Sequence, residues 1–428
     1  MDSPSVPIQM DARAARRAWI MLVVLTALAA SGMTVVLPVL PFVVLRYTNQ
    51  SDLALWVGLL EAVNALCAFI VAPILGRLSD RYGRRPVIIV AAFGAVIGYA
   101  LFGLGGALWV LLLGRVIQGL TAGDLPALFA YLADITPPEQ RAKRFGLLGA
   151  ITGVATMVAP ALGGLLAAID VDLPVFATAG IALVSAILAI FVLPESLPPE
   201  RRVTTVRLRT LHPFAVFRTA FARAELRPLL IGFALLLLPF GMFVNNFSVL
   251  ALDAVQWDAT RVGFVVAAVG IVDIVIQGAL LPLLLRRLGE RGVVIAGAIA
   301  QAAGLAALAI VASLLAQPWL FVVGALVIAA GQGATQASMD GVMSNSVADD
   351  EQGWIAGVGQ SISSGTGMIA PVLAGLLYAG VAHAAPYWLG VALVVAAVIV
   401  LARARFATPS RPVPDAGVVP TDVGTRKP

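Results

Sequence analysis

Gly76-Arg77-Leu78-Ser79-Asp80-Arg81-Tyr82-Gly83-Arg84-Arg85-Pro86 joins two long apolar stretches, 54–76 and 86–105. Glu61 is the only acid in the first, and the second carries no charge. About 20 apolar residues suffice to cross a bilayer as a helix. The connection is too short for a domain and too patterned for a plain linker. Its glycines permit a sharp turn and close approach. A loop that only set topology by charge would need neither the glycines nor Asp80.

The rest of the chain has the same character. It has 428 residues, of which 60% are apolar and 12% charged, and a mean hydropathy of +0.97. A soluble chain is about 45–50% apolar and about 25% charged, so half the usual charge cannot coat a soluble surface. Twelve apolar segments fall at roughly 19–45, 54–76, 86–105, 108–134, 143–168, 174–194, 228–252, 260–285, 292–315, 318–346, 354–379 and 384–405. They are too long and continuously apolar for barrel strands. In lipid every backbone amide needs a partner within the protein, so they are helices. The fold class is therefore an all-α membrane protein with twelve transmembrane helices.

The 28 basic residues fall mainly on one side. With the N-terminus inside, that side holds Arg13, Arg16 and Arg17; Arg77, Arg81, Arg84 and Arg85; Arg141, Lys143 and Arg144; seven arginines from Arg201 to Arg227; Arg286, Arg287 and Arg291; and five in the C-terminal tail. Arg46 and Arg261 fall opposite, and Arg115 lies inside a segment. The positive-inside rule predicts cytoplasmic termini, in a bacterial inner membrane. It explains the net charge of +5 without nucleic acid as a partner. The first segment lacks the small-residue cleavage site of a signal peptide and is expected to be retained. One cysteine (Cys67) and two histidines (His212, His383) leave no disulfide framework and no metal cluster. Cys67 reads as filler, and neither histidine looks like a proton relay.

The chain repeats itself. Met157-Val158-Ala159-Pro160-Ala161-Leu162-Gly163-Gly164 returns as Met368-Ile369-Ala370-Pro371-Val372-Leu373-Ala374-Gly375, and Pro73 as Pro282. The plan is a tail at 1–18, a six-helix half at 19–194, a basic loop at 195–227, a second six-helix half at 228–405, and a tail at 406–428 rich in Pro, Gly, Asp and Thr that reads as disordered.

The 76–86 stretch matches G-x-L-x-D-R-x-G-R-[RK]-P, the second-loop signature of the major facilitator superfamily, at every fixed position. Arg286-Arg287-Leu288-Gly289-Glu290-Arg291-Gly292 is a worn copy. Gly114-Arg115-Val116-Ile117-Gln118-Gly119 resembles the fourth-helix motif R-x-x-Q-G. Ala159-Pro160-Ala161-Leu162-Gly163-Gly164, with Gly149 and Gly153 before it, resembles the fifth-helix motif of drug–proton antiporters; Ala155 and Ala159 stand where glycines are usual. This resemblance implies two pseudo-symmetric six-helix halves with a site at the midplane. It also implies a gate at Gly76, Asp80, Arg81, Gly83, Arg84 and Arg85. Asp80 would meet a helix N-terminus of the other half, and the arginines would pair across the interface. Gly149, Gly153, Pro160, Gly163 and Gly164 would let helices pack closely and rock.

Pro38-Val39-Leu40-Pro41, Tyr131-Leu132-Ala133-Asp134-Ile135-Thr136 and Gln256-Trp257-Asp258-Ala259-Thr260 make the chain look like the tetracycline/proton antiporters and related drug exporters. That group has an aspartate in its first span and another in its ninth; here the positions are Ala29 and Gln301. Other acids lie in or near the spans: Glu61, Asp124, Asp273 and Asp340. Intramembrane carboxylates are costly and thus functional candidates. With Arg115, expected to pair with Glu61, they form the proton-coupling set. Asp253 and Asp258 read as solvated ends. A cavity should be mainly apolar with a few polar groups. Its candidates are Asn64, Tyr131, Phe243, Asn245, Asn246, Gln277, Gln301, Gln336 and Trp388; polar members could equally tie helices together.

The expected function is proton-coupled export of small amphipathic compounds, by a monomer that needs no cofactor beyond the proton gradient. The alternatives are a dedicated carrier of one natural metabolite, sugar or siderophore, and a non-transporting membrane receptor. No phosphate loop, nucleophile motif or metal cluster suggests an enzyme.

Overall fold

The computed structural model describes residues 12–202, 219–348 and 351–403. The expected tail at 406–428, most of the N-terminal tail and much of the basic loop, with His212, lie outside the described residues. Among the described residues, eleven segments are long and apolar enough to cross a membrane. One of them, Ala259–Ser313, runs 55 residues. At 1.5 Å per residue a straight helix of that length would measure about 80 Å, far beyond a bilayer. It bends at Gly289 (φ 68°, ψ 170°) and crosses twice, which makes twelve crossings.

The helices are Ala12–Val35, Gln50–Tyr82, Arg84–Leu104, Leu108–Thr121 with Asp124–Ile135, Pro138–Ala167, Leu173–Phe191, Arg227–Asp253, Ala259–Val275, Leu281–Ser313, Pro318–Asn345, Gln352–Gly380 and Ala385–Arg403. Three departures from the sequence expectation matter. The first span stops at Val35, and a turn leads through Pro38 into the short helix Leu40–Val44. The fourth is broken, because Ala122 and Gly123 leave helical geometry. The eighth passes through a π-helical turn at Ile276–Leu280. Such turns often mark functional positions.

The two halves meet through paired contacts that follow the sequence repeat. A Cβ on Gly58 would overlap the Pro371 carbonyl, and a Cβ on Gly263 the Pro160 carbonyl. Gly375 lies against Ala54 and Leu55, and Gly164 against Ala259 and Thr260. The second span thus packs on the eleventh as the fifth packs on the eighth. Absence of side chains lets the backbones approach where lipid gives no hydrophobic drive.

These contacts lie near the face opposite the termini. Hydrogen bonds between the halves lie there too: Gln50 Nε2 to Asp253 Oδ1 (2.8 Å), Thr260 Oγ1 to the Gly164 carbonyl (2.8 Å) and Ser248 Oγ to the Leu37 carbonyl (3.3 Å). Toward the face that carries the termini, Gly76, Gly146, Gly149, Gly153, Gly278, Gly353 and Gly357 have no described atom within 4 Å of where a Cβ would stand. The bundle is closed on the far face and splayed on the tail face.

Candidate functional site

The broken fourth span sets up the first acid. Asp124 opens the second fragment, and its Oδ1 accepts from the Leu125 amide (2.9 Å). A helix start presents free amides inside the membrane, which favour a negative group there. Before the break lies Arg115, 7% exposed. Its Nη2 donates to Glu61 Oε1 at 2.7 Å and its Nη1 to Gln118 Oε1 at 3.1 Å. Its guanidinium lies 5.0 Å from the Phe102 ring centre. The expected Glu61–Arg115 pair is therefore formed. Tyr99, a residue the sequence reading passed over, lies within the fields of Arg115, Glu61 and Asp124 and donates to the Gly32 carbonyl (3.2 Å). Apart from its hydroxyl, nothing in its sequence context set it apart.

The second half supplies a polar ladder. Gln277 Nε2 donates to Asp273 Oδ2 (2.8 Å), one turn away at the π-helical segment. The other carboxyl oxygen, Oδ1, faces Gly333 of the tenth span, where a Cβ would displace it. On that span Gln332 donates to Gln336 (3.3 Å) and Gln336 to Asp340 Oδ2 (3.2 Å). Asp340 is exposed toward the tail face. Gln332 was also missed; its i, i+4 spacing to Gln336, and that of Gln336 to Asp340, was the available signal.

Several cavity candidates are placed elsewhere. Tyr131 has no exposed surface and donates to the Pro194 carbonyl (2.9 Å), inside the first half's core. Phe243 is 3% exposed, within a ring cluster with Phe240 and Phe247. Gln301 is fully buried, with Nε2 on the Leu236 carbonyl (3.1 Å) beside Pro239. Asn246 is buried on the Ala374 carbonyl (3.1 Å). Each bonds or fills the interior of its own half, Tyr131 in the first and Phe243, Gln301 and Asn246 in the second, as burial of a polar group demands. Asn245 faces Gly58 across the halves, and Asn64 ties the second span to the Arg115 carbonyl (3.2 Å). Trp388 is 49% exposed near the far end of the last span, where an amphipathic ring suits the membrane interface. Of the nine, Gln277 and Gln336 lie with the splayed-side acids.

The gate residues also differ from expectation. Gly83 has φ 108° and ψ 164°, and a Cβ there would strike the Glu195 carboxylate. That carboxylate accepts from the amides of Arg84 (2.9 Å), Arg85 (3.2 Å), Ser196 (2.9 Å) and Leu197 (3.0 Å). Arg84 bonds Asp80 Oδ1 (2.5 Å) and Asp134 Oδ2 (3.0 Å). Arg85 bonds the Ala189 carbonyl (3.0 Å) and the Ile190 carbonyl, closing the end of the sixth span. Arg81 lies over the Tyr82 ring at 5.3 Å, and Gly76 touches no side chain of the other half. Asp80, Arg84 and Arg85 are thus bonded within the first half and not across the interface, because the tail face stands open. The worn copy keeps the plan: Gly289 again has positive φ, Glu290 accepts from Asn345 (3.0 Å), and Arg291 bonds the Ala402 carbonyl at the end of the twelfth span (2.5 Å).

The profile of the Major Facilitator Superfamily matches residues 22–367 and 229–421. The chain belongs to the major facilitator superfamily. It is 33% identical over 374 residues, 87% of this chain and 92% of the relative, to a class C tetracycline resistance protein of Escherichia coli. Multidrug resistance protein 2 of Bacillus subtilis is 26% identical, covering 81% of this chain and 85% of its own length. Among solved structures, the human organic anion transporter MFSD10 aligns with TM-score 0.64 at 20% identity over 90% of this chain and 99% of its own, and a D-xylose–proton symporter with 0.68 at 15% over 92% and 98%. The superfamily member described here is a multi-pass membrane transporter, not an enzyme.

Proposed function

We propose that this chain is a proton-coupled exporter of small amphipathic compounds in a bacterial inner membrane, acting as a monomer. The carrying observation is a set of intramembrane acids in both halves: Asp124 at a helix break in the first, and the Asp273–Gln277 and Gln336–Asp340 ladders in the second. The one-sided arginine distribution supports a cytoplasmic tail face, on which reading the arrangement is inward-open. Substrate would enter from the cytoplasm or inner leaflet, and the halves would close below it and part above it. A proton taken from outside neutralises Asp124, with the Glu61–Arg115 pair and Asp273 as relays. The two ligands compete for preference between states, because a ligand shifts such an equilibrium only by its differential affinity.

The tetracycline resistance relatives and the multidrug relative support export of drugs. Ala29 and Gln301 stand where the resemblance expects acids, and Gln301 is sealed in the second half. We infer lipophilic organic substrates that need no acid at those two positions. Reconstitution in proteoliposomes with a substrate panel tests this. Several lipophilic compounds should drive proton movement, and Asp124→Asn should abolish it. A single saturable hydrophilic substrate would instead identify a dedicated carrier.

A further inference from the structure

Asp253 ends the seventh span at the outer face, where the sequence suggested a solvated end. The structure makes it a hub instead. Its side chain is 18% exposed. Oδ2 accepts from the Tyr378 hydroxyl (2.8 Å) and faces His383 Nδ1 (2.9 Å), while Oδ1 accepts from Gln50 Nε2 (2.8 Å). The rings of Tyr378 and His383 stack at 4.5 Å. Tyr378, His383 and Asp253 all belong to the second half; Gln50 opens the second span, in the first. One oxygen of the carboxylate thus serves partners of its own half, and the other serves Gln50 across the halves. Tyr387 of the twelfth span also lies within its field. The second span adds Asp52 two residues beyond Gln50, and Asp258 is engaged in capping the Arg261 amide (2.9 Å). No arginine or lysine bonds Asp253 among the described residues.

We propose that Asp253 is a proton-binding site at the outer mouth, coupled to its opening. The inference rests on the proton-coupled reading above. External water reaches His383, 53% exposed, and through it the carboxylate. A proton from outside converts the carboxylate to a carboxylic acid. It weakens the acceptor that holds Gln50, since a hydrogen bond to a charged group is stronger than to a neutral one. Shut, the mouth holds Asp253 ionised by one bond more than when open. Protonation of Asp253 therefore costs the shut state more than the open one, and acid outside favours release of the mouth. Acid outside opens the mouth at the stage when a proton must be admitted.

The test uses spin labels at Ile169→Cys and Leu314→Cys in a Cys67→Ser background, one label on the outer end of each half, with the full chain in nanodiscs. Acidification should raise the open population roughly tenfold. Asp253→Asn should leave it flat, and His383→Gln, which keeps a side-chain donor beside the carboxylate, should preserve the response. Gln50→Glu is the decisive arm. Two carboxylates repel when ionised and share a proton when acid, so its mouth should open at neutral pH and shut on acidification. A wild-type distance that ignores pH, or a Gln50→Glu slope equal to wild type, overturns the proposal. Proteoliposomes lacking substrate-driven proton movement would overturn the transport reading instead, and the two results are read separately.

Discussion

Glu61 and Arg115 show how one residue's charge is made tolerable by another in the membrane. Arg115 is 8% exposed by side chain and Glu61 27%, so water does not screen the pair well. Removing one partner of a buried pair costs about 3–5 kcal/mol, whereas replacing both is often neutral. Glu61→Gln should lower the thermal unfolding temperature in detergent, and Glu61→Gln with Arg115→Gln should recover much of it. If the pair also relays protons, the double variant will be stable yet uncoupled. Gly83 makes a second residue-scale case. Its φ of 108° and ψ of 164° lie in a region reserved for glycine, at about 1–3 kcal/mol for other residues. Gly83→Ala should destabilise by that amount or more and be non-additive with Glu195→Ala, because the new Cβ displaces the Glu195 carboxylate. Sequence reading singled out Gly83 but passed over Glu195, whose four backbone partners come from two segments more than 100 residues apart in sequence.

At the scale of elements, the fifth span has two kinds of glycine. Gly163 and Gly164 are packed against Val35 and against Ala259 and Thr260, while Gly149 and Gly153 stand clear. Leucine at 149 or 153 should leave the tail-open arrangement undisturbed and block closure of the tail face. Gly164→Leu should disrupt the shut far face, where Gly164 lies against Ala259 and Thr260 of the other half. Thiol labelling from each side should move in opposite directions for the two classes, and equal effects would show that the glycines serve only local packing. A surface tether behaves differently. Arg223 bonds Glu351 and lies 4.6 Å from the Trp354 ring, joining the end of the central loop to the eleventh span. The hydrogen bond from Arg223 holds the Glu351 carboxyl below its usual range. The tether is therefore complete above that usual range and lost as pH falls through the lowered value. Exposed pairs are weak and salt-sensitive, so cross-linking of cysteines placed beside the pair, at Ala222 and Gly353, should fall with acid or salt without changing transport much. The broken fourth span was not legible in its apolar run. Ala122-Gly123 lowers helix preference there, but tertiary packing decides whether a span bends or breaks.

For the whole molecule, alternating access asks that two interfaces of similar make exchange. The far-face contacts of the second with the eleventh span and of the fifth with the eighth are related by the repeat that places Pro160 against Pro371. Purified protein at rest should label readily with thiol reagents at tail-face positions such as Gly357→Cys and poorly at Ala54→Cys, 1% exposed at the far face. Substrate with an inward proton gradient should reverse the pattern. A pattern fixed in all conditions would contradict a transport cycle.

The sequence by itself determined the twelve crossings, their one-sided charge, the two-half repeat, and the gate loop and Glu61–Arg115 pair as the places where polar chemistry enters the membrane. These follow from hydropathy, turn chemistry and the cost of charge in lipid, which act over short stretches. Only the tertiary structure decided which polar residues face the cleft. Tyr131, Gln301 and Asn246 share the composition of cavity residues, yet each spends its hydrogen bond on a backbone carbonyl within its own half. Asp253 and His383 look like solvated ends, yet three elements bring them together with Gln50. A residue's type fixes what it can bond; the packing of distant helices fixes what stands within reach.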